Sequence, residues 1–124
     1  MRILTIGLAM AAVVVPVAAQ AMTVNEFLAK ADALKAKGIF AAGSPDIGLL
    51  RDEVKAAGAA YRADLARQVA AGKKPSSCPP PVGQTGITSD QIIKDFRALP
   101  ANQRQWSVKA AWAALMTKRY PCKV

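Results

Sequence analysis

The sequence predicts an all-α protein, a small bundle of about four helices closed by one disulfide. Apolar residues recur at helical spacing in four segments, and three of these segments begin with residues that commonly cap helices. No segment alternates apolar and polar residues convincingly over the length of a strand. The chain has two cysteines, Cys78 and Cys122, which bracket its final third. These observations favour helices held together by a single covalent link.

The first 21 residues have the composition of a secretory signal peptide. Arg2 supplies a positive charge, an apolar run follows from residue 3 to residue 19, and Ala19-Gln20-Ala21 provides small residues for signal peptidase. We therefore expect cleavage after Ala21 and a single helical domain over residues 22–124, located in the periplasm. The alternative is an uncleaved membrane anchor, although a run of about 17 residues containing Pro16 is at the lower limit for crossing a bilayer.

Export bears directly on the two cysteines. Small domains in oxidising compartments commonly form disulfides, so we expect a bond between Cys78 and Cys122. A free thiol or a bond between two chains is the alternative. The separation of the two residues matches neither a CxxC redox pair nor a zinc site. A structural role is therefore expected for both.

The first helix is predicted over residues 24–37. Thr23 and Glu26 have the spacing of a capping box, in which each side chain satisfies a free backbone donor of the other residue. Gly38 follows where a C-terminal cap belongs. The residues expected to face the core are Phe27, Leu28, Ala31 and Leu34.

The second helix is predicted over residues 45–71. Ser44 caps it, Pro45 takes the first helical position, and Asp46 complements the positive end of the helix dipole. An apolar stripe about 120° wide is expected to face the core. Its members are Ile47, Leu50, Val54, Ala57, Tyr61, Leu65 and Val69.

Residues 73–86 form a loop with four prolines and two glycines, which separates the long helix from two further helices. A second capping box, Thr88 to Gln91, starts the third helix, and Pro100 ends or bends it. The third helix is expected to turn Ile92, Ile93, Phe96 and Leu99 inward. The last helix is predicted over about 101–119. It is expected to bury some of Trp106, Val108, Trp112, Leu115 and Met116.

The residue types argue against catalysis. The chain has no histidine, and therefore lacks the usual general base near neutral pH and the commonest metal ligand. Phosphate-binding and dinucleotide-binding glycine motifs are also missing from the sequence. We expect no enzymatic activity, no metal and no cofactor.

The charge points to a partner other than nucleic acid. Without Arg2 the chain has 16 basic and 8 acidic side chains. In the periplasm such an excess suits an acidic protein surface, or contact with an anionic membrane surface without spanning it, better than nucleic acid. The alternative is that the charge only keeps the protein soluble.

One basic face is a candidate for partner binding. Arg51, Lys55 and Arg62 fall within about 40° of each other on the second helix, beside its apolar stripe. Lys73 and Lys74 add charge at the end of that helix. The alternative is an ordinary solvated helix face.

The segment from Cys78 to Cys122 contains an ordered set of features. A cysteine followed by prolines precedes the Thr88 capping box, and the apolar helix then leads into a turn from Pro100 to Arg104. An alanine-rich helix and Tyr120-Pro121-Cys122 close the segment. This pattern resembles the periplasmic amidase immunity proteins of type VI secretion, the Rap and Tai kind. The resemblance covers about 45 residues and does not extend to the first half of the mature chain.

The resemblance implies a function. Such a protein binds a cell-wall amidase effector delivered to the periplasm and occludes its active site. We therefore expect an immunity-like binding protein with a peptidoglycan amidase as its partner. The alternatives are a small periplasmic chaperone or stress protein, and a basic structural protein associated with the envelope.

Overall fold

A computed structural model describes residues 21–123 as an all-α fold. Its helices are α1 (Val24–Lys37), α2 (Pro45–Ala70), α3 (Ser89–Arg97) and α4 (Val108–Arg119), and a short 3-10 segment covers Gly38–Gly43. Within the described range, the β-type pairing consists of an isolated antiparallel bridge between Thr23 and Ser107. The predicted fold class is confirmed. The predicted signal peptide and its cleavage site fall almost entirely outside the described residues.

The predicted N-caps form at the starts of the first three helices, although each of the two predicted capping boxes forms only the bond to the threonine hydroxyl. The Thr23 hydroxyl accepts a hydrogen bond from the Glu26 N–H at 3.1 Å, and Ser44 accepts one from Asp46 at 3.3 Å. Thr88 accepts in the same way from the Gln91 N–H at 3.2 Å. These side chains supply acceptors that the first turn of a helix lacks.

The core lies where α1 packs against α2, α3 and α4, and where α4 packs against α2. Its central contact joins α1 to α3: the rings of Phe27 and Phe96 meet edge to face with centroids 5.3 Å apart. Phe96 is fully buried, which contributes about 2–3 kcal/mol through the removal of apolar surface from water. The other buried members of the cluster are Val24, Leu28, Ala31, Leu50, Ala57, Val108 and Ala111.

The beginning of α4 is the main correction to the predicted fold. Residues 101–106 form turns, and α4 starts at Val108 with Ser107 as its cap. The reason is a long-range backbone contact, because the carbonyls of Arg104 and Trp106 accept hydrogen bonds from Asn25 and Val24, both at 2.9 Å. These bonds hold the turn at residues 104–106 against the entry to α1.

Two apolar residues expected to be inside are not. Val69 is 58% exposed in the last turn of α2. Trp106 is 42% exposed, since it belongs to the turn before α4 rather than to the helix. Of the predicted inward residues of α4, Val108 and Met116 are buried, and Trp112 and Leu115 are half-buried.

Covalent and polar contacts fix one end of the bundle, which we call the clasped end and define by Tyr61, Ser77, Cys78, Tyr120 and Cys122. Cys78 and Cys122 form the predicted disulfide, with Cα atoms 4.9 Å apart. The Cys78 N–H donates to the Tyr120 carbonyl at 2.8 Å. The proline-rich loop is therefore attached to the end of α4 at two adjacent points.

Candidate functional site

An open apolar groove lies between α1, α2 and α3. Its volume is about 390 Å³, within the range of sites that accept side chains or small ligands. The residues that line it are Phe27, Ala31, Leu34, Ile47, Leu50, Arg51, Val54, Lys55, Ser89, Ile92 and Ile93. Eight of these eleven are apolar, so the groove suits an apolar occupant.

The groove uses one part of the apolar stripe on α2. Ala57 and Tyr61 are buried, while Ile47 and Val54 nearer the start of the helix are only half-buried and line the groove. The stripe predicted as a continuous core surface therefore has two roles. Its middle is covered by the rest of the bundle, and its first turns remain partly accessible at Ile47 and Val54, although Leu50 between them is buried.

Two cations border the groove. Arg51 and Lys55 are exposed residues one helical turn apart on α2, and both line the groove. Among residues 21–123, neither forms an ion pair. The groove thus combines an apolar interior with positive charge that is available to a partner.

Other basic side chains are already engaged. Lys30 lies 3.7 Å from Asp46, and Arg119 lies 2.6 Å from Asp95. Arg97 pairs with Asp32, and Arg67 pairs with Asp64. Half of the eight carboxylates in the chain are therefore used within the molecule, away from Arg51 and Lys55.

The remaining residues of the predicted basic face do not join this groove. Arg62 is half-buried and donates to the Pro80 carbonyl at 2.8 Å, so it fixes the proline-rich loop. By helical rise it lies about 16 Å along α2 from Arg51. Lys73 and Lys74 are exposed in the loop beyond the far end of the helix. The structure brings Arg51 and Lys55 together and separates the other three.

Sequence reasoning missed an exposed apolar tip, defined here as Ile39 and Phe40. Both residues belong to the 3-10 segment between α1 and α2, and they are 87% and 81% exposed. Gly38 turns the chain out of α1 with φ at +58°, a conformation that favours glycine. The sequence does contain a signal for this tip: Ile and Phe are adjacent between two glycines and belong to no helical apolar stripe.

One ion pair next to the α1–α3 contact has a resolved electrostatic effect. The Arg97 guanidinium donates hydrogen bonds to the Asp32 carboxylate and lowers the pKa of that carboxyl below its ordinary value. The same contact raises the pKa of Arg97. Both groups are exposed, so the pair adds a pH-dependent link between the two helices without becoming part of the core.

Residues 21–123 offer neither a metal site nor a membrane span. Three or more metal-ligating side chains do not cluster anywhere in residues 21–123. Over the same residues, each helix is too short or too polar to cross a bilayer.

Comparison with known proteins adds no relative. No protein-family profile, no curated protein and no solved structure matches this chain. A function for this chain therefore has to be inferred from the groove, from Arg51 and Lys55 at its border, and from the sequence pattern between Cys78 and Cys122.

Proposed function

We propose that this chain is an exported binding protein that occludes a periplasmic cell-wall amidase in the manner of an immunity protein. The observation that carries the proposal is the open apolar groove bordered by Arg51 and Lys55. The pattern from Cys78 to Cys122 supports the amidase as the class of partner. Occlusion requires a stable surface and no chemistry from the inhibitor itself.

The occupant of the groove would be an apolar segment of the partner with a carboxylate beside it. Burial of apolar side chains supplies most of the binding free energy at protein interfaces, and charged groups at the rim select the partner and increase the association rate. Arg51 and Lys55 are one helical turn apart, so a single acidic side chain can contact both. The excess of 16 basic over 8 acidic residues after Arg2 favours an acidic partner in the same way.

Affinity purification from periplasm tests the proposal. The full chain, expressed with its leader and carrying a C-terminal tag, should recover one dominant protein in a 1:1 ratio, with peptidoglycan amidase activity that is inhibited in the complex. Recovery of many proteins only in acid would indicate the chaperone alternative. Recovery of envelope material without a discrete protein would indicate the structural alternative.

Reversing the charges of Arg51 and Lys55 tests whether the rim of the groove contacts the partner. The double variant R51E/K55E should weaken binding by at least 100-fold, because it replaces two attractive contacts with two repulsive ones. The matched control is K73E/K74E, which changes net charge equally at the far end of α2 and should alter binding by less than about threefold. Equal losses of binding in the two variants would show that only the overall charge matters and would contradict the groove as the binding site.

A larger side chain inside the groove tests whether its apolar part receives the partner. Val54 lines the groove, whereas Val69 is exposed on the same helix outside it. V54F should reduce binding at least tenfold without unfolding the protein, as verified by circular dichroism. V69F is the control for the same substitution and should bind normally. Unchanged binding by folded V54F would exclude this groove as the docking site.

A further inference from the structure

The apolar tip carries an inference that goes beyond protein binding. Ile39 and Phe40 are the two most exposed large apolar residues among those described, and they are adjacent in the chain. They lie in an uncharged stretch, residues 38–45, between two helices. The glycines on either side of the tip, Gly38 and Gly43, border open space. A methyl group placed on either Cα would have no atom of a non-neighbouring residue within 4 Å.

Two lysines come just before the tip in the chain. Lys35 and Lys37 are exposed in the last turn of α1, within about one helical pitch, roughly 5 Å, of the start of the 3-10 segment. Neither lysine forms an ion pair with a residue in the range 21–123. The two carboxylates between residues 27 and 51, Asp32 and Asp46, are paired with Arg97 and Lys30. The charge of Lys35 is offset in part by Asp32, whose pKa it helps to lower, while Lys37 has no ion-pair partner among residues 21–123.

We propose that Ile39 and Phe40 insert shallowly into an anionic lipid bilayer while Lys35 and Lys37 contact its headgroups. Peripheral proteins bury apolar side chains roughly 5–10 Å into the boundary between headgroups and acyl chains, and lysines extend toward the phosphates. An exposed apolar pair that follows two exposed lysines in the chain matches that arrangement. A protein partner would instead be expected at the concave groove, where apolar surface and cations surround an occupant.

The contact would be weak and reversible, because it uses two apolar side chains and two charges. Each lysine near an anionic surface strengthens binding by about fivefold. Removal of both positive charges should therefore weaken binding by about 25-fold. Loss of the two apolar side chains should weaken it at least tenfold, since nothing else at the tip enters the acyl region.

Vesicle sedimentation tests the inference. The full chain, expressed with its leader and purified with its disulfide intact, is mixed with vesicles of 30% phosphatidylglycerol and 70% phosphatidylethanolamine, or with pure phosphatidylcholine. Mass spectrometry confirms that every variant has the same N-terminus. Wild type should sediment with the anionic vesicles and stay in solution with the neutral ones, while I39S/F40S and K35Q/K37Q should lose binding as stated.

Matched variants separate the tip from general charge and hydrophobicity. V69S/V82S removes two exposed apolar side chains elsewhere, and K73Q/K74Q removes two exposed lysines elsewhere. Both should bind anionic vesicles within twofold of wild type. Binding of wild type to neutral vesicles, wild-type binding by I39S/F40S, or equal losses in K35Q/K37Q and K73Q/K74Q would each overturn the inference.

The amidase experiment is independent of this one. I39S/F40S leaves every residue that lines the groove unchanged, so it should still recover the protein partner. Loss of the protein partner in I39S/F40S with retained vesicle binding would reassign the tip to the protein interface and overturn the inference.

Discussion

The two ends of this molecule are built differently. At the clasped end, a disulfide joins Cys78 to Cys122, and Ser77 is 1% exposed, with its hydroxyl in a polar network. At the other end, an apolar groove is open, and the tip beyond it is largely exposed. The first end pairs its polar groups internally, and the second leaves apolar and cationic groups exposed.

The contrast shows where this small protein obtains its stability. A chain of 124 residues has a limited core, and every apolar group left outside reduces it further. A covalent link and a buried network compensate at a distance from the groove. The open end can then expose apolar surface without loss of the fold, which is the arrangement a binding protein requires.

Removal of the disulfide should have the largest effect. C78S/C122S removes the link across 44 positions and should lower the free energy of unfolding by about 4 kcal/mol in the chain-entropy treatment. Urea denaturation followed by circular dichroism measures this loss. Reduced wild type should show the same stability as the double variant, and a loss below about 1 kcal/mol would place the main stabilisation elsewhere.

The buried serine should have the next largest effect. The Ser77 hydroxyl donates its hydrogen to the Tyr120 carbonyl at 2.9 Å. Because a hydroxyl has only one hydrogen, the Ser77 oxygen accepts the hydrogen bond that joins it to the Tyr61 hydroxyl at 2.6 Å. S77A leaves the buried Tyr61 hydroxyl without this partner and should cost about 1–3 kcal/mol by urea denaturation. Binding at the groove should remain normal in the folded fraction.

Two further variants test whether the effect of S77A comes from its hydrogen bond with Tyr61. Ser76 is exposed, and S76A should change stability by less than about 0.5 kcal/mol. The double variant Y61F/S77A should lose less than the sum of its single variants, because the two hydroxyls bond each other. Strict additivity would show that the two residues act separately and would contradict a shared network.

The smallest effect is expected at the ion pair between α1 and α3. Arg97 lowers the pKa of Asp32, so the pair stabilises the fold above the ordinary carboxyl pKa of 3.8. That contribution is lost as pH falls through the lower pKa of the folded state. D32N should therefore have a slightly lower Tm than wild type at pH 7 and the same Tm at pH 2, as measured by thermal denaturation.

Asp52 provides the control for this ion pair. It is exposed on α2 and has no ion-pair partner within the described part of the chain. D52N should match wild type in Tm at pH 7. A D32N difference that persists unchanged at pH 2 would attribute the effect to something other than the charge of Asp32.

The sequence predicted those parts of the fold whose signals are local. Thr23, Ser44 and Thr88 lie at the starts of three helices, and their hydroxyls bond the first turn as expected. The start of α4 was predicted too early, because residues after Pro100 are good helix formers. Their backbone instead pairs with residues 22–25, a contact that no local pattern reveals.

The candidate site was predictable only in part, for a related reason. Arg51 and Lys55 were found because both lie on one face of one helix. The groove itself was missed, since its walls come from α1 and α3 as well as α2. Arg62 was grouped with them by helical angle alone, and its hydrogen bond to Pro80 became visible only with the loop in place.

The backbone bonds between residues 22–25 and residues 104–108 also set an order of events as the chain leaves the ribosome. A polypeptide is made from its N-terminus, so α1 emerges while the partner of its entry is about 80 positions behind. Trp106 must emerge before Val24 can form its bond. The first helix to appear is therefore among the last to be secured.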